Sequence, residues 1–201
     1  MKGFLFRPDV WKAKLKVLEQ YGEAQTRRVS GLKEINKEPD NWRHVRNVVN
    51  EQVFIFQQKD GLQKIIKPRY RVGEVVYIKE AHFIGGVKPN EWVIFKDSKL
   101  PIPKTKVEDY HWQIPRFMPA WAARYFIQIT DVKPQRLQKI TEEDCLKEGC
   151  PQIQAATGLR IQWYKELWDS INPKYPWTSN LWIWVYTFKK GDRKSRELYW
   201  I

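Results

Sequence analysis

The sequence predicts an α+β fold, a small mixed β-barrel, partly closed, with flanking helices. Three observations predict it. Short runs of β-branched and aromatic residues recur along the chain, bounded by Gly, Pro and Asp. Few stretches carry helical periodicity or a helix-start signal. No internal repeat or low-complexity segment appears, and a hydrophobic fraction of 42% is enough to build a core. A length of 201 residues fits one domain. We take it as residues 1–189, with an inserted segment at 30–69 and a basic C-terminal tail at 190–201.

Phe4 to Phe6 is a short strand that stops at Pro8. Asp9 can N-cap a helix running to Tyr21, with Val10, Ala13, Leu15, Val17 and Leu18 roughly on one face and Lys12, Lys14 and Lys16 off it. Gly22 ends it, and Glu23 to Val29 leaves as a strand. Residues 30–70 are polar and irregular, apart from a strand at Val53 to Phe56 that Ile65 and Ile66 can extend into a hairpin after Asp60-Gly61. Tyr70 to Glu80 is a turn at Gly73 followed by a strand, and Trp92 to Phe95 is another. Residues 97–112 are rich in Pro and Lys and predict a loop. Alternation from Arg124 to Val132 predicts a long strand. Thr141-Glu142-Glu143-Asp144 is a capping box with Asp144 in the place of the usual Glu, and its short helix ends at Gly149. Gln162 to Asn172 predicts a further helix, and Leu181 to Phe188 an aromatic strand.

Charge narrows the function. Lys and Arg number 36 against 23 Asp and Glu, a formal net charge of +13. Phosphate backbones attract such an excess, and counterion release supplies affinity without sequence preference. The alternative is a solvated basic surface. No amphipathic Lys/Arg helix with a Trp/Leu face suggests a membrane surface, and no stretch of about 18 apolar residues exists to span one. The N-terminal apolar run is too short for a signal peptide. Cys145 and Cys150 do not form a CxxC, and His44, His82 and His111 are scattered, so neither a metal site nor a cofactor is expected. A reducing cytoplasm is the simplest compartment.

An ordered set of segments carries more. Gln-Thr-Arg-Arg follows the first helix, and Tyr-Arg-Val-Gly-Glu precedes a strand. Met-Pro-Ala-Trp-Ala-Ala-Arg, Ile-Thr-Asp-Val and Leu-Gln-Lys-Ile-Thr-Glu-Glu-Asp-Cys-Leu-Lys-Glu-Gly come next, and then Leu-Trp-Asp-Ser-Ile-Asn and Trp-Ile-Trp-Val-Tyr-Thr-Phe. This set resembles the phage and prophage branch of the ASCH-domain proteins of the PUA-like superfamily, over residues 1–29 and 70–189. The resemblance implies a pseudo-barrel whose cleft holds RNA or a modified base, in a bacterial host cell. RNA stands ahead of DNA as partner.

Some small ASCH proteins are amidohydrolases that remove acetyl from N4-acetylcytidine, using a Lys-Thr-x-Thr-x-Arg stretch and a later Glu. By position the second Thr falls on Thr26, the Arg on Arg28 and the Glu on Glu148. Glu23 stands where the Lys belongs, Ala24 where the first Thr does, and Tyr21 where a Gly does. A Thr hydroxyl needs a base to become a nucleophile. The departure at Glu23 therefore moves the expectation from chemistry to binding. An amidohydrolase or nuclease is the first alternative, with Thr26 and Glu148 catalytic. A phage accessory protein that binds a host protein through residues 30–69 is the second.

As a nucleic-acid-binding set we single out Arg27, Arg28, Lys79, Glu80, Arg116, Trp121 and Arg124. Alternation puts Thr26 and Arg28 on one strand face and Arg27 on the other. The structural alternative for Arg28 is an ion pair with Glu80 or Glu148. Glu148, at a helix C-terminus, faces an unfavourable dipole that calls for a partner; the alternative is an exposed surface Glu. Lys79 and Glu80 end a strand at the expected mouth, with a structural ion pair as the alternative for Glu80. Trp121 between Arg116 and Arg124 can stack on a base, or cap the core.

Overall fold

The structure, a computed structural model, describes residues 1–86, 92–96, 111–151 and 158–191. Most of the expected loop at 97–112, and the tail beyond Gly191, lie outside the described residues. The chain divides into two compact units. The first takes residues 1–11 and 75–127 and the chain from Gly191; the second takes residues 12–74 and 128–190.

In the first unit, β1 (Gly3–Leu5) runs parallel to β6 (Val75–Lys79), with Phe4 opposite Ile78. Phe4, Phe6 and Trp11 form a stacked series, with ring centroids 4.9 and 5.4 Å apart. Apolar rings stacked at this spacing add to the area they bury. β7 (His82–Gly85) and β8 (Trp92–Phe95) form an antiparallel pair. Met118, Ala122 and Ala123 pack on Tyr77, whose hydroxyl donates to the Met118 carbonyl at 3.0 Å.

In the second unit, β10 (Trp182–Lys190) lies between β9 (Phe126–Arg136) and β2 (Glu23–Arg28). β2 is antiparallel to β10, with Thr26 opposite Tyr186 and Arg28 opposite Trp184. Both faces of β10 are buried. Ile183 and Val185 pack with Leu137, Cys145, Tyr164 and Trp168, a core that includes residues of α2 (Glu142–Lys147) and α3 (Leu159–Ile171). Trp182 and Trp184 meet Phe56 and Phe54, edge to face at 5.2 and 4.8 Å. These phenylalanines belong to a second antiparallel sheet of β3 (Trp42–Val48), β4 (Val53–Gln58) and β5 (Gln63–Ile66).

The class is therefore α+β. Among the described residues, however, no sheet closes into a barrel. β2 is an edge strand of its sheet, and Phe54 and Phe56 of the β3–β4–β5 sheet pack on Trp184 and Trp182 of β10. The segment from 30 to 70 is not irregular. It contains the hairpin turned at Asp60-Gly61, where Gly61 has φ +94°, and an additional strand, β3. Only Trp42 of β3 is buried, so the strand lacks the alternation that marks one in a sequence.

The first helix, α1 (Pro8–Tyr21), begins at Pro8, a residue preset for a first helical turn. Asp9 lies inside it and holds the Arg7 guanidinium through both carboxylate oxygens at 2.7 Å. The buried stripe of α1 is Trp11, Lys14, Val17 and Leu18. Lys14 is thus on the core side, against the expected placement. The capping box of α2 forms as expected, Thr141 accepting from the Asp144 amide and Asp144 from the Thr141 amide. No helix among the described residues is long and apolar enough to cross a membrane.

Candidate functional site

Glu148 caps the C-terminal end of α2, before Gly149 in the left-handed conformation at φ +96°. It is 4% exposed. Two cations meet its carboxylate. Lys14 Nζ donates to Oε2 at 2.5 Å and to the Glu148 carbonyl at 2.7 Å, and also to the Gln25 carbonyl. Arg27 donates to Oε1 at 2.8 Å, and its other terminal nitrogen lies 2.8 Å from Asp144 Oδ2. The Arg27 guanidinium also sits over the Tyr164 ring, 5.7 Å from its centroid. Asp144 therefore serves both the capping box and the ion pair.

The electrostatics divide the two cations. Burial drives the Lys14 pKa down from 10.5 to about 8; Glu148 opposes this, and Arg27 and Arg28 reinforce it. Burial also acts to lower Arg27, but Glu148, Tyr164 and Asp144 outweigh it and raise that pKa. The opposite directions for two partners of one carboxylate have a physical cause. Lys14 is buried between Glu148 and the positive charges of Arg27 and Arg28, and arginine does not shed its proton. The lysine is the group that can release one.

Thr26 is 5% exposed. Glu23 pairs with Lys147 at 2.5 Å, away from the buried carboxylate. Arg28 faces the side of β2 opposite Arg27 and lines a cleft of about 590 Å³. Lys33, Asn36, Asn172, Lys174 and Tyr175 also line it, and no Asp or Glu does. Lys33 and Lys174 are exposed and have no ion-pair partner among the described residues. The cleft wall is fixed by Asn36, whose side chain donates to the Trp182 carbonyl and accepts from the Trp182 amide, both at 2.8 Å.

The remaining expected residues lie in the first unit. Glu80 accepts two hydrogen bonds from Arg124, at 2.9 and 2.7 Å. The Arg124 guanidinium is stacked over Phe95 at 4.2 Å and Tyr125 at 5.0 Å. Lys79 donates to the Arg116 carbonyl at 2.8 Å, while the Arg116 side chain is exposed. Trp121 is half-buried and packs on the Tyr77–Met118 cluster.

The structure thus gathers Thr26, Arg27, Arg28 and Glu148 in one unit, and Lys79, Glu80, Arg116, Trp121 and Arg124 in the other. Sequence reasoning missed Lys14, Lys33 and Lys174. The signal for Lys14 was its spacing, three residues from both Trp11 and Val17. Comparison with protein-family models, curated proteins and solved structures returned no match.

Proposed function

We propose that this chain is a nucleic-acid-binding module of PUA-like descent, with RNA as its preferred partner. The observation that carries this reading is the cleft beside β2: three cations, no carboxylate, and an aromatic ring 43% exposed at Tyr175. Arg28 can fork a phosphate through two donors, and Lys33 and Lys174 act as point charges. Tyr175 offers a face for a base. The net charge of +13 brings the polyanion to the surface, and the acid-free cleft gives it a place to seat.

The test is binding of single- and double-stranded RNA and DNA across a salt series. The log–log slope is expected to fall by about one for each phosphate contact removed, in Arg28→Ala, Lys33→Glu and Lys174→Glu. No binding at low salt, or slopes indifferent to all three substitutions, overturns the reading.

One observation favours a second reading, an amidohydrolase acting on an acylated nucleobase. Lys14, reaching in from α1, brings an amine to Glu148 and to the strand that carries Thr26, although Glu23 occupies the family's Lys position. Its lowered pKa suits a base. The burial of Thr26 keeps this reading second. Release of acetate from N4-acetylcytidine, lost in Lys14→Met, Thr26→Ala and Glu148→Gln alike, would put it first.

A further inference from the structure

We infer a second binding site, in the first unit, for a planar aromatic anion. It is a cavity of about 220 Å³, small for a drug-sized ligand and suited to a single ring system. Phe6, Trp11, Ile78 and Pro115 supply apolar wall, and Lys79, Glu80 and Lys96 supply the charge. The Glu80 carboxylate is already neutralised by Arg124 through both oxygens. Lys79 and Lys96 therefore leave the lining net positive.

The Trp11 indole points to a ligand independently of the charge. The residue is 4% exposed, and its Nε1–H is a buried donor with no acceptor among the described residues. Buried indole N–H groups ordinarily find a partner. The ring is held in place by Phe6 at 5.4 Å and by the edge of Tyr125 at 5.6 Å, so it cannot readily turn the donor elsewhere. A flat ring that fills the cavity against the Trp11 side chain and carries an anionic group near Lys96 fits this lining. A nucleotide base with its phosphate and a free aromatic carboxylate share that chemistry. The inference is independent of the RNA-binding cleft, which belongs to the other unit.

The experiment follows the Trp11 indole N–H in the full-length, nitrogen-15-labelled protein, its cross-peak identified by its loss in Trp11→Phe. The probes are adenosine and cytidine 5′-monophosphates, indole-3-carboxylate, neutral indole and ribose 5-phosphate. We expect saturable movement with at least one of the aromatic anions, and the arm that moves it, nucleotide or carboxylate, names the source. Ribose 5-phosphate leaves it in place, and indole acts at least about tenfold more weakly. Lys96→Glu, on an exposed side chain, weakens the aromatic anion about tenfold while the remaining spectrum is preserved. If Trp11→Phe does not fold, Ala81→Leu serves in its stead, narrowing the cavity and abolishing the movement. An unmoved cross-peak with every probe overturns the proposal, as does movement equal for indole and the anions and indifferent to Lys96→Glu. Because Lys174→Glu leaves this cavity untouched, failure here and failure of the RNA reading are separate results.

Discussion

Glu148 holds Lys14 through one carboxylate oxygen and Arg27 through the other, so removing it and removing one of its partners are unequal perturbations. Glu148→Gln leaves two buried cations facing each other and is expected to cost about 3–5 kcal/mol. Lys14→Met leaves Glu148 with Arg27 and keeps the methylene packing, so about 2 kcal/mol or less is expected. Urea unfolding checks the order. Lys14→Met as the worse variant would show that the lysine, not the carboxylate, organises the cluster. The same lysine sets a pH dependence. Its pKa is 10.5 when unfolded and about 8 when folded, so both states are protonated below pH 8 and the fold bears the cost of the buried charge. Above about 8 the unfolded chain binds the extra proton, and stability rises with pH. Cys145 acts in the opposite sense. Burial raises its thiol from 9.0 to about 12, so the unfolded chain ionises first and stability falls as pH rises above about 9. Melting temperature across a pH series should climb between 8 and 9, level off as the two effects offset each other, and turn down only above about pH 10. The climb should vanish in Lys14→Met.

The end of α2 depends on a glycine for two separable reasons. Gly149 has φ +96°, and a Cβ there would meet the Cβ of Ala13 on α1 at 2.9 Å. Gly22, which ends α1, has φ +74° with nothing within 4 Å of the same position. Gly22→Ala therefore bears the backbone cost alone, about 1 kcal/mol. Gly149→Ala adds a clash between two Cβ atoms that no rotamer relieves, and about 2 kcal/mol or more is expected. Chemical denaturation of the two variants, and of Gly149→Ala with Ala13→Gly, measures the difference. Recovery of part of the loss in the double variant is the expected result. Its absence would mean that the close approach of α1 and α2 does not set the cost.

Residues 30–69 supply the partner for the aromatic face of β10, through Phe54 against Trp184 and Phe56 against Trp182. Val53, Phe54, Ile55 and Phe56 are all buried. A surface insertion can be excised without harm, but one that covers a core strand cannot. Deletion of 30–69 is expected to abolish cooperative unfolding of the second unit and to flatten the near-ultraviolet dichroism of its tryptophans. A sharp transition kept after deletion would return the segment to the status of an ornament. The excess of Lys and Arg belongs to the same level of description: in the proposed reading, counterion release would add over the whole surface and the cleft beside β2 would seat the polyanion.

Local chemistry was legible wherever it acts over a few residues. Thr141 and Asp144 announced the capping box, Asp60-Gly61 the hairpin, Gly22 and Gly149 the helix ends, and the aromatic run near 182–188 a buried strand. The charge excess, which needs no fold, pointed to a polyanion. The partners of Glu148 were not legible, because they arrive from 134 residues away on α1 and 121 away on β2. Nor did the sequence show that Glu80 takes Arg124, or that Lys33 and Lys174 join Arg28 across 141 residues of chain. A buried lysine obeys the hydrophobic period only because a distant carboxylate compensates its charge, and pairing at that range is settled when the elements pack. The open sheets follow from the same cause: strand propensity is local, but whether a sheet closes depends on which distant surface covers its face.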